Sequence, residues 1–153
     1  MIKYNKYYLI FLILFFFNFN KSISSENLKF SSLKNSEVNL RQGPSFDYPI
    51  KLTYKKKYLP VIITDESETW RKIKDFENNS GWIHISQLSK RKSAINIKED
   101  SIIYKKPTLY SKPIVRLEVG RLLIIKKCED KWCKVVTGDI TGWVKKNTLW
   151  GVI

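Results

Sequence analysis

Residues 69–85 read TWRKIKDFENNSGWIHI, and residues 131–145 read KWCKVVTGDITGWVK. Each opens on a tryptophan and alternates apolar with charged residues, the two-residue period of a half-buried strand. Each then breaks at a polar turn, ENNS or GDI, and resumes with Gly-Trp and an apolar residue. Trp70 thus corresponds to Trp132, Ile73 to Val135, Gly81-Trp82 to Gly142-Trp143 and, further on, Leu88 to Leu149. A repeat at this offset means two copies of one unit.

Working outward, the same plan extends on both sides. VNLRQGPSFDYPI (38–50) is a short alternating run followed by Gly43-Pro44 turn chemistry, and YLPVIIT (58–64) is rich in β-branched residues, as strands are. SQLS then reads as one helical turn. The second unit runs in the same order, with SIIYKKPTLYSKPI (101–114), GRLLIIKKC (120–128), WCKVVT (132–137), TGWV (141–144) and a closing KNTLW. No stretch beyond the N-terminal run holds a helical period over ten residues. Short strands with frequent turns predict an all-β protein of two small β-barrels. The expected domains are 38–89 and 101–153, with 25–37 an N-terminal segment and 90–100 a linker or connecting strand, its SAINI core being the strand candidate.

The first 24 residues form a separate object. Lys3 and Lys6 precede the apolar run YYLIFLILFFF (7–17), and polar and small residues follow. That is the layout of a secretory signal peptide, cleaved after Ser24 or Ser25, with a short uncleaved anchor as the other reading; the run is short for a membrane span, which takes about 20 residues. The formal charge is +14, from 28 Lys and Arg against 14 Asp and Glu, and loss of Lys3, Lys6 and Lys21 leaves 14 − 3 = +11. The expectation is an exported, periplasmic protein, where cysteines are oxidised and the polyanions are those of the envelope. Nucleic acid is then not the expected partner, and contact with membrane is expected only through the signal segment or surface charge. Charge divides unequally: 8 basic less 6 acidic residues give +2 for 38–88, and 11 less 4 give +7 for 101–153.

The pattern VNLRQGPS, YPI, Trp70 and Gly81-Trp82 resembles the bacterial SH3 (SH3b) domain, whose motif is an NLR-x-GP-S strand and loop, a later Trp and a GW before a closing turn. The chain is similar to tandem SH3-like exported proteins of the alphaproteobacterial type, the second copy being degenerate. The first copy departs from the pattern at Lys57, where a glycine usually opens the strand; Gly120 keeps it in the second. The resemblance implies two SH3-like barrels and binding of peptidoglycan or cell-wall peptides, with an adaptor for an envelope protein as the alternative and charge-driven binding to anionic lipid or nucleic acid as a weaker one. With one histidine, no free catalytic cysteine and no Gly-rich phosphate loop, neither catalysis nor a cofactor is expected.

Aromatic-lined SH3 surfaces take extended peptides, which makes Phe46, Tyr48, Tyr54 and Trp70 candidates for a groove, with the basic run Lys55, Lys56 and Lys57 beside them as a contact for phosphate or carboxylate. KRK (90–92) reads the same way. Trp82 reads as core, and His84, two residues on, as a histidine hydrogen-bonded locally. Cys128 and Cys133 flank a tight turn between two strands, where opposed Cα atoms lie about 4.5 Å apart, near the range a disulfide needs. A structural disulfide is the expectation; free thiols and a metal or redox pair are the other readings. Four intervening residues are not a Cys-x-x-Cys motif, and a zinc site needs four ligands where the chain offers one histidine.

Overall fold

The computed structural model describes residues 29–151, so the expected signal peptide lies outside the described residues. The first sheet comprises β1 (Lys29–Leu33), β2 (Val38–Arg41), β3 (Ile50–Tyr54), β4 (Pro60–Ser67), β5 (Trp70–Lys74), β6 (Ser80–His84) and β7 (Leu88–Ser89). The second comprises β8 (Ser93–Asn96), β9 (Ser101–Tyr104), β10 (Pro113–Leu117), β11 (Leu122–Glu129), β12 (Trp132–Thr137), β13 (Ile140–Lys145) and β14 (Leu149–Trp150). A single 3-10 turn, Ile85–Gln87 or Lys146–Thr148, precedes the last strand of each. The spatial orders are β3-β2-β6-β5-β4-β1-β7 and β10-β9-β13-β12-β11-β8-β14, one topology used twice.

Two strands extend the units beyond their expected starts. Lys29–Leu33, within the segment 25–37, pairs with β4 and β7. Ser93–Asn96, within the connecting stretch 90–100, takes the equivalent place beside β11 and β14. All four residues of β8 are buried, and its two apolar side chains serve different cores. Ala94 packs with Ile103, Leu123, Val135 and Val144 of its own unit. Ile95, pointing the other way as strand geometry requires, packs with Leu33, Leu40, Val61, Ile73 and Ile83 of the first unit. Leu122 joins it there. Around this seam Trp150 meets Phe30 edge-on at 5.2 Å and Phe76 at 6.3 Å. Gly151, at φ +107°, lies so close to Pro60 that an added Cβ would stand 2.9 Å from the Pro60 Cβ. Two units of about 50 residues each bury too little surface to be comfortable alone; here each completes the other.

The paired Gly-Trp dipeptides have a steric cause. A Cβ on Gly81 would stand 2.6 Å from the Arg41 carbonyl oxygen, and one on Gly142 2.7 Å from that of Tyr104. These glycines let β6 and β13 cross beneath β2 and β9, where Arg41 pairs with Trp82 and Tyr104 with Trp143. Trp82 is not core, as the sequence suggested: it is half-buried on the outer face with His84, while Ile83 between them fills the core.

The missing glycine of the first unit is one residue further on than expected. Tyr58, not Lys57, takes the left-handed conformation (φ 62°) that Gly120 takes at φ 80°. Both donate their N–H across the sheet, Tyr58 to Leu33 and Gly120 to Asn96. A bulky residue there is strained. Lys57 and Arg91 lie against the Tyr58 ring, 5.2 Å and 5.0 Å from its centre, and hold it.

Candidate functional site

In the first unit the loop between β2 and β3 is built by its motif. Arg41 Nη1 donates to the carbonyl oxygens of Phe46 (3.0 Å) and Tyr48 (2.8 Å). Tyr48 lies flat on Gly43, where an added Cβ would stand 2.6 Å from its ring. Ser45 Oγ donates to Asp47 Oδ2 at 2.8 Å and accepts from the Asp47 N–H at 3.1 Å. These bonds set Phe46 over Trp70, with ring centres 4.9 Å apart. His84, opposite Trp70 on β6, closes the cluster at 5.4 Å from Trp70 and 5.6 Å from Phe46. Its Nδ1 accepts from the Ser86 N–H and shares a 2.8 Å contact with Ser86 Oγ. Phe46 is 67% exposed and Trp70 only 6%. What remains open beside them is a shallow cavity of about 390 Å³ walled by Glu37, Asn39, Arg41 and Gln87.

Of the seven residues expected at the groove, only Phe46 and Trp70 meet there. Tyr48 sits on Gly43, outside the cavity lining. Tyr54 is a core residue: it is 8% exposed and its hydroxyl donates to Asp75 Oδ2 at 3.0 Å. Burial, and next the Asp75 carboxylate, push its hydroxyl well above the ordinary tyrosine range. Asp75, itself 3% exposed, also accepts from the N–H groups of Glu77 and Asn79 and from Asn79 Nδ2, so the pair anchors the β5–β6 turn. Lys55, Lys56 and Lys57 lie in the β3–β4 turn; Lys55 approaches the cavity only through its ion pair with Glu37, at 2.6 Å.

The equivalent place in the second unit is open. The β9–β10 loop has the same length, and strand register puts Tyr104 at the place of Arg41, Leu109 at that of Phe46 and Ser111 at that of Tyr48. Lysine 145 stands where His84 stands, opposite Trp132. Tyr104 has no cation to hold the loop carbonyls and instead meets Trp132 edge-on at 5.7 Å. Leucine in place of phenylalanine leaves Trp132 less covered than Trp70. The result is a groove of about 800 Å³, lined by Pro107, Leu109, Tyr110, Trp132, Lys145 and Asn147 among others. Tyr110 is fully exposed at its edge. The sequence signal for this site is the alignment of Leu109 with Phe46, in a copy that lacks the NLR-x-GP motif.

The cysteines complete the comparison. Cys128 and Cys133 are cross-strand partners, their sulfurs at the bonding distance of 2.02 Å and their Cα atoms 4.0 Å apart. The same pair of positions in the first unit holds Glu66 and Arg71, whose side chains approach to 3.4 Å. One hairpin is clamped by an ion pair and the other by a disulfide.

Among curated proteins, none matches the chain. Solved structures similar to it include NlpC2 and NlpC1 from Trichomonas vaginalis, each 13% identical with TM-score 0.38, over 83% and 84% of this chain and 49% and 47% of theirs. An NlpC/P60 family protein from Bacillus cereus is 13% identical with TM-score 0.37, over 80% of this chain and 56% of that one. The chain thus spans about half the length of these structures. The family profile described as Bacterial SH3 domain matches residues 34–90 and again 98–151, one match on each sheet, and the chain belongs to that family.

Proposed function

We propose that the protein is a non-catalytic, exported binding protein of the cell envelope, and that it takes peptidoglycan, through its peptides, in the groove over Trp132. The observation that carries this reading is the difference between the two units: the same aromatic floor is covered by Phe46 in one and open in the other. A groove lined by Trp132, with an apolar edge at Leu109 and Tyr110 and ammonium groups at Lys131, Lys145 and Lys146 against the single carboxylate of Asp130, suits an extended peptide bearing carboxylates. Family membership and the N-terminal run of the sequence support the envelope as the place.

The test is retention on purified peptidoglycan sacculi at low salt, followed by titration of a muramyl peptide. Trp132→Ala and Tyr110→Ala are expected to weaken binding by about tenfold or more, the size of a lost aromatic anchor, while Phe46→Ala leaves it intact. Absence of retention by the unaltered protein, or full retention by a folded Trp132→Ala variant, would overturn the proposal. The exposed Leu109 and Tyr110 also suit a segment of a partner protein, the adaptor reading. Cross-linking in cells separates the two, since one dominant protein partner favours the adaptor.

A further inference from the structure

A second cavity, of about 750 Å³, lies between the two units and shares only Asp130 and Lys146 with the groove over Trp132. Seven of its fifteen lining residues are basic: Lys29, Lys90, Arg91, Lys92, Lys126, Lys127 and Lys146, against the single carboxylate of Asp130. Three of the seven have local partners. Lys29 pairs with Glu66 and Lys127 with Glu129, and Arg91 lies on the Tyr58 ring. Among the described residues, Lys90, Lys92, Lys126 and Lys146 have no carboxylate within ion-pair distance. Like charges around one cavity repel, and a cavity lined by one sign of charge concentrates the opposite one.

The backbone that carries these charges is held rigidly. The carbonyl of Arg91 accepts from Ser32 Oγ of β1 at 2.7 Å, and that of Lys92 accepts from the Ile125 N–H of β11 at 3.0 Å. The Arg91 N–H donates to Ser89 Oγ at 3.1 Å. The segment joining the units is therefore stitched to both sheets, which fixes the backbone positions from which Lys90, Arg91 and Lys92 extend. The floor is apolar at Phe30, Ile63 and Ile125. On the lining, Ser93 is 3% exposed and its Oγ has no hydrogen-bond partner among the described residues.

We infer that this cleft between the units is a binding site for a compact ligand bearing two or more phosphate groups. Its volume is that of a small-ligand site. The cations gathered around it call for several negative charges in one small volume; a phosphate ester carries between about 1.5 and 2 and a carboxylate one. Lysine ammonium groups bind phosphate as point charges and need no fixed fork of donors.

The experiment uses tripolyphosphate as probe, titrated calorimetrically into the protein at low and at moderate salt. The variant K90A/K92A/K126A removes three unpaired cations from the cleft, and K51A/K55A/K56A removes the same charge from β3 and the turn that follows it in the first unit. The cleft variant is expected to bind at least about tenfold more weakly and the turn variant within about twofold of the unaltered protein, because charges beyond about 10 Å are screened at moderate salt. Melting temperatures check that both are folded. Equal weakening in the two variants, or no binding at millimolar probe, overturns the inference. Vesicles containing phosphatidylglycerol distinguish the source of the phosphate. Sedimentation with vesicles that is lost in the cleft variant supports a lipid headgroup, and tripolyphosphate binding without vesicle binding supports a soluble ligand. Vesicle binding that the cleft variant leaves unchanged places the attraction on the surface at large and overturns the site.

Discussion

Ile95 offers the sharpest test of how the two units hold together. It belongs by sequence to the second unit, yet its fully buried side chain lies in the core of the first. Ile95→Ala removes three carbon atoms from a site with no access to water, a change that costs about 3 kcal/mol when the surroundings relax only partly. With a urea dependence of about 2 kcal/mol per molar, the unfolding midpoint should fall by roughly 1.5 M. The midpoint alone does not say which unit has loosened, and native-state hydrogen exchange does. Amides of Val61, Ile73 and Ile83, all in the first unit, should lose roughly a hundredfold in protection, since each 1.4 kcal/mol is a factor of ten. Those residues lie beyond any sequence-local effect of position 95. Ile95→Val, which removes a single methylene, should give a loss of about 1 kcal/mol at the same amides. If protection falls only in the second unit while these three amides keep theirs, the cores are separate and the shared-strand account is wrong.

Two further outcomes follow from particular contacts. The Tyr54 hydroxyl titrates higher in the folded state than in the unfolded chain, where its value is near 10. A group raised by folding contributes its stability in full below the unfolded value and loses it as pH rises above that value. The protein should therefore lose stability above about pH 10, less so in Tyr54→Phe. Tyr58, drawn below the ordinary range chiefly by the neighbouring Arg91 guanidinium, should titrate first when tyrosinate absorbance is followed, and Tyr54 only as the protein unfolds. Titration of Tyr54 in step with exposed tyrosines would refute its burial. For the disulfide, closing a ring of six residues is worth about 2 kcal/mol, so C128S/C133S should melt about 8 °C lower. Two free thiols in unfolded, unreduced protein purified from its native compartment would reject the clamp.

The strands that carry the repeat were legible because each keeps one face in one core. β5 and β12 begin on matching tryptophans, and β6 and β13 carry a glycine wherever another backbone presses on them. β1 was not legible, and β8 only as a candidate, the SAINI core of the connecting stretch. KFSSL and SAIN are short, with little β-branched character. In β8 the alternation serves two cores at once, so no exposed face remains to mark the period. Tyr54 misled for a related cause: a tyrosine is welcome inside when its hydroxyl finds a partner, and Asp75, 21 residues away, is not visible as that partner from the sequence. The KRK run was legible as charge, but Lys126 and Lys127 join it from β11, the strand paired with β8 and distant from KRK in the sequence.

The same residues that make the first unit easy to recognise are the ones that close its groove. Arg41 of the NLR motif grips the loop carbonyls, Gly43 admits the Tyr48 ring, and together they press Phe46 onto Trp70. In the second unit Tyr104, Lys106 and Ser111 replace Arg41, Gly43 and Tyr48, and the loop is tied instead by the Lys106 N–H donating to Ser111 Oγ at 2.9 Å. That tie fixes the base of the loop and leaves its tip, Leu109 and Tyr110, out in solvent. Loss of the motif is thus what exposes Trp132. Motif strength and access to the aromatic floor run in opposite directions along this chain. In the proposed function the degenerate copy, with its open groove and the greater part of the net charge, is the one that binds, and the regular copy contributes Phe30 to the basic cleft and Ser32 to the segment that borders it.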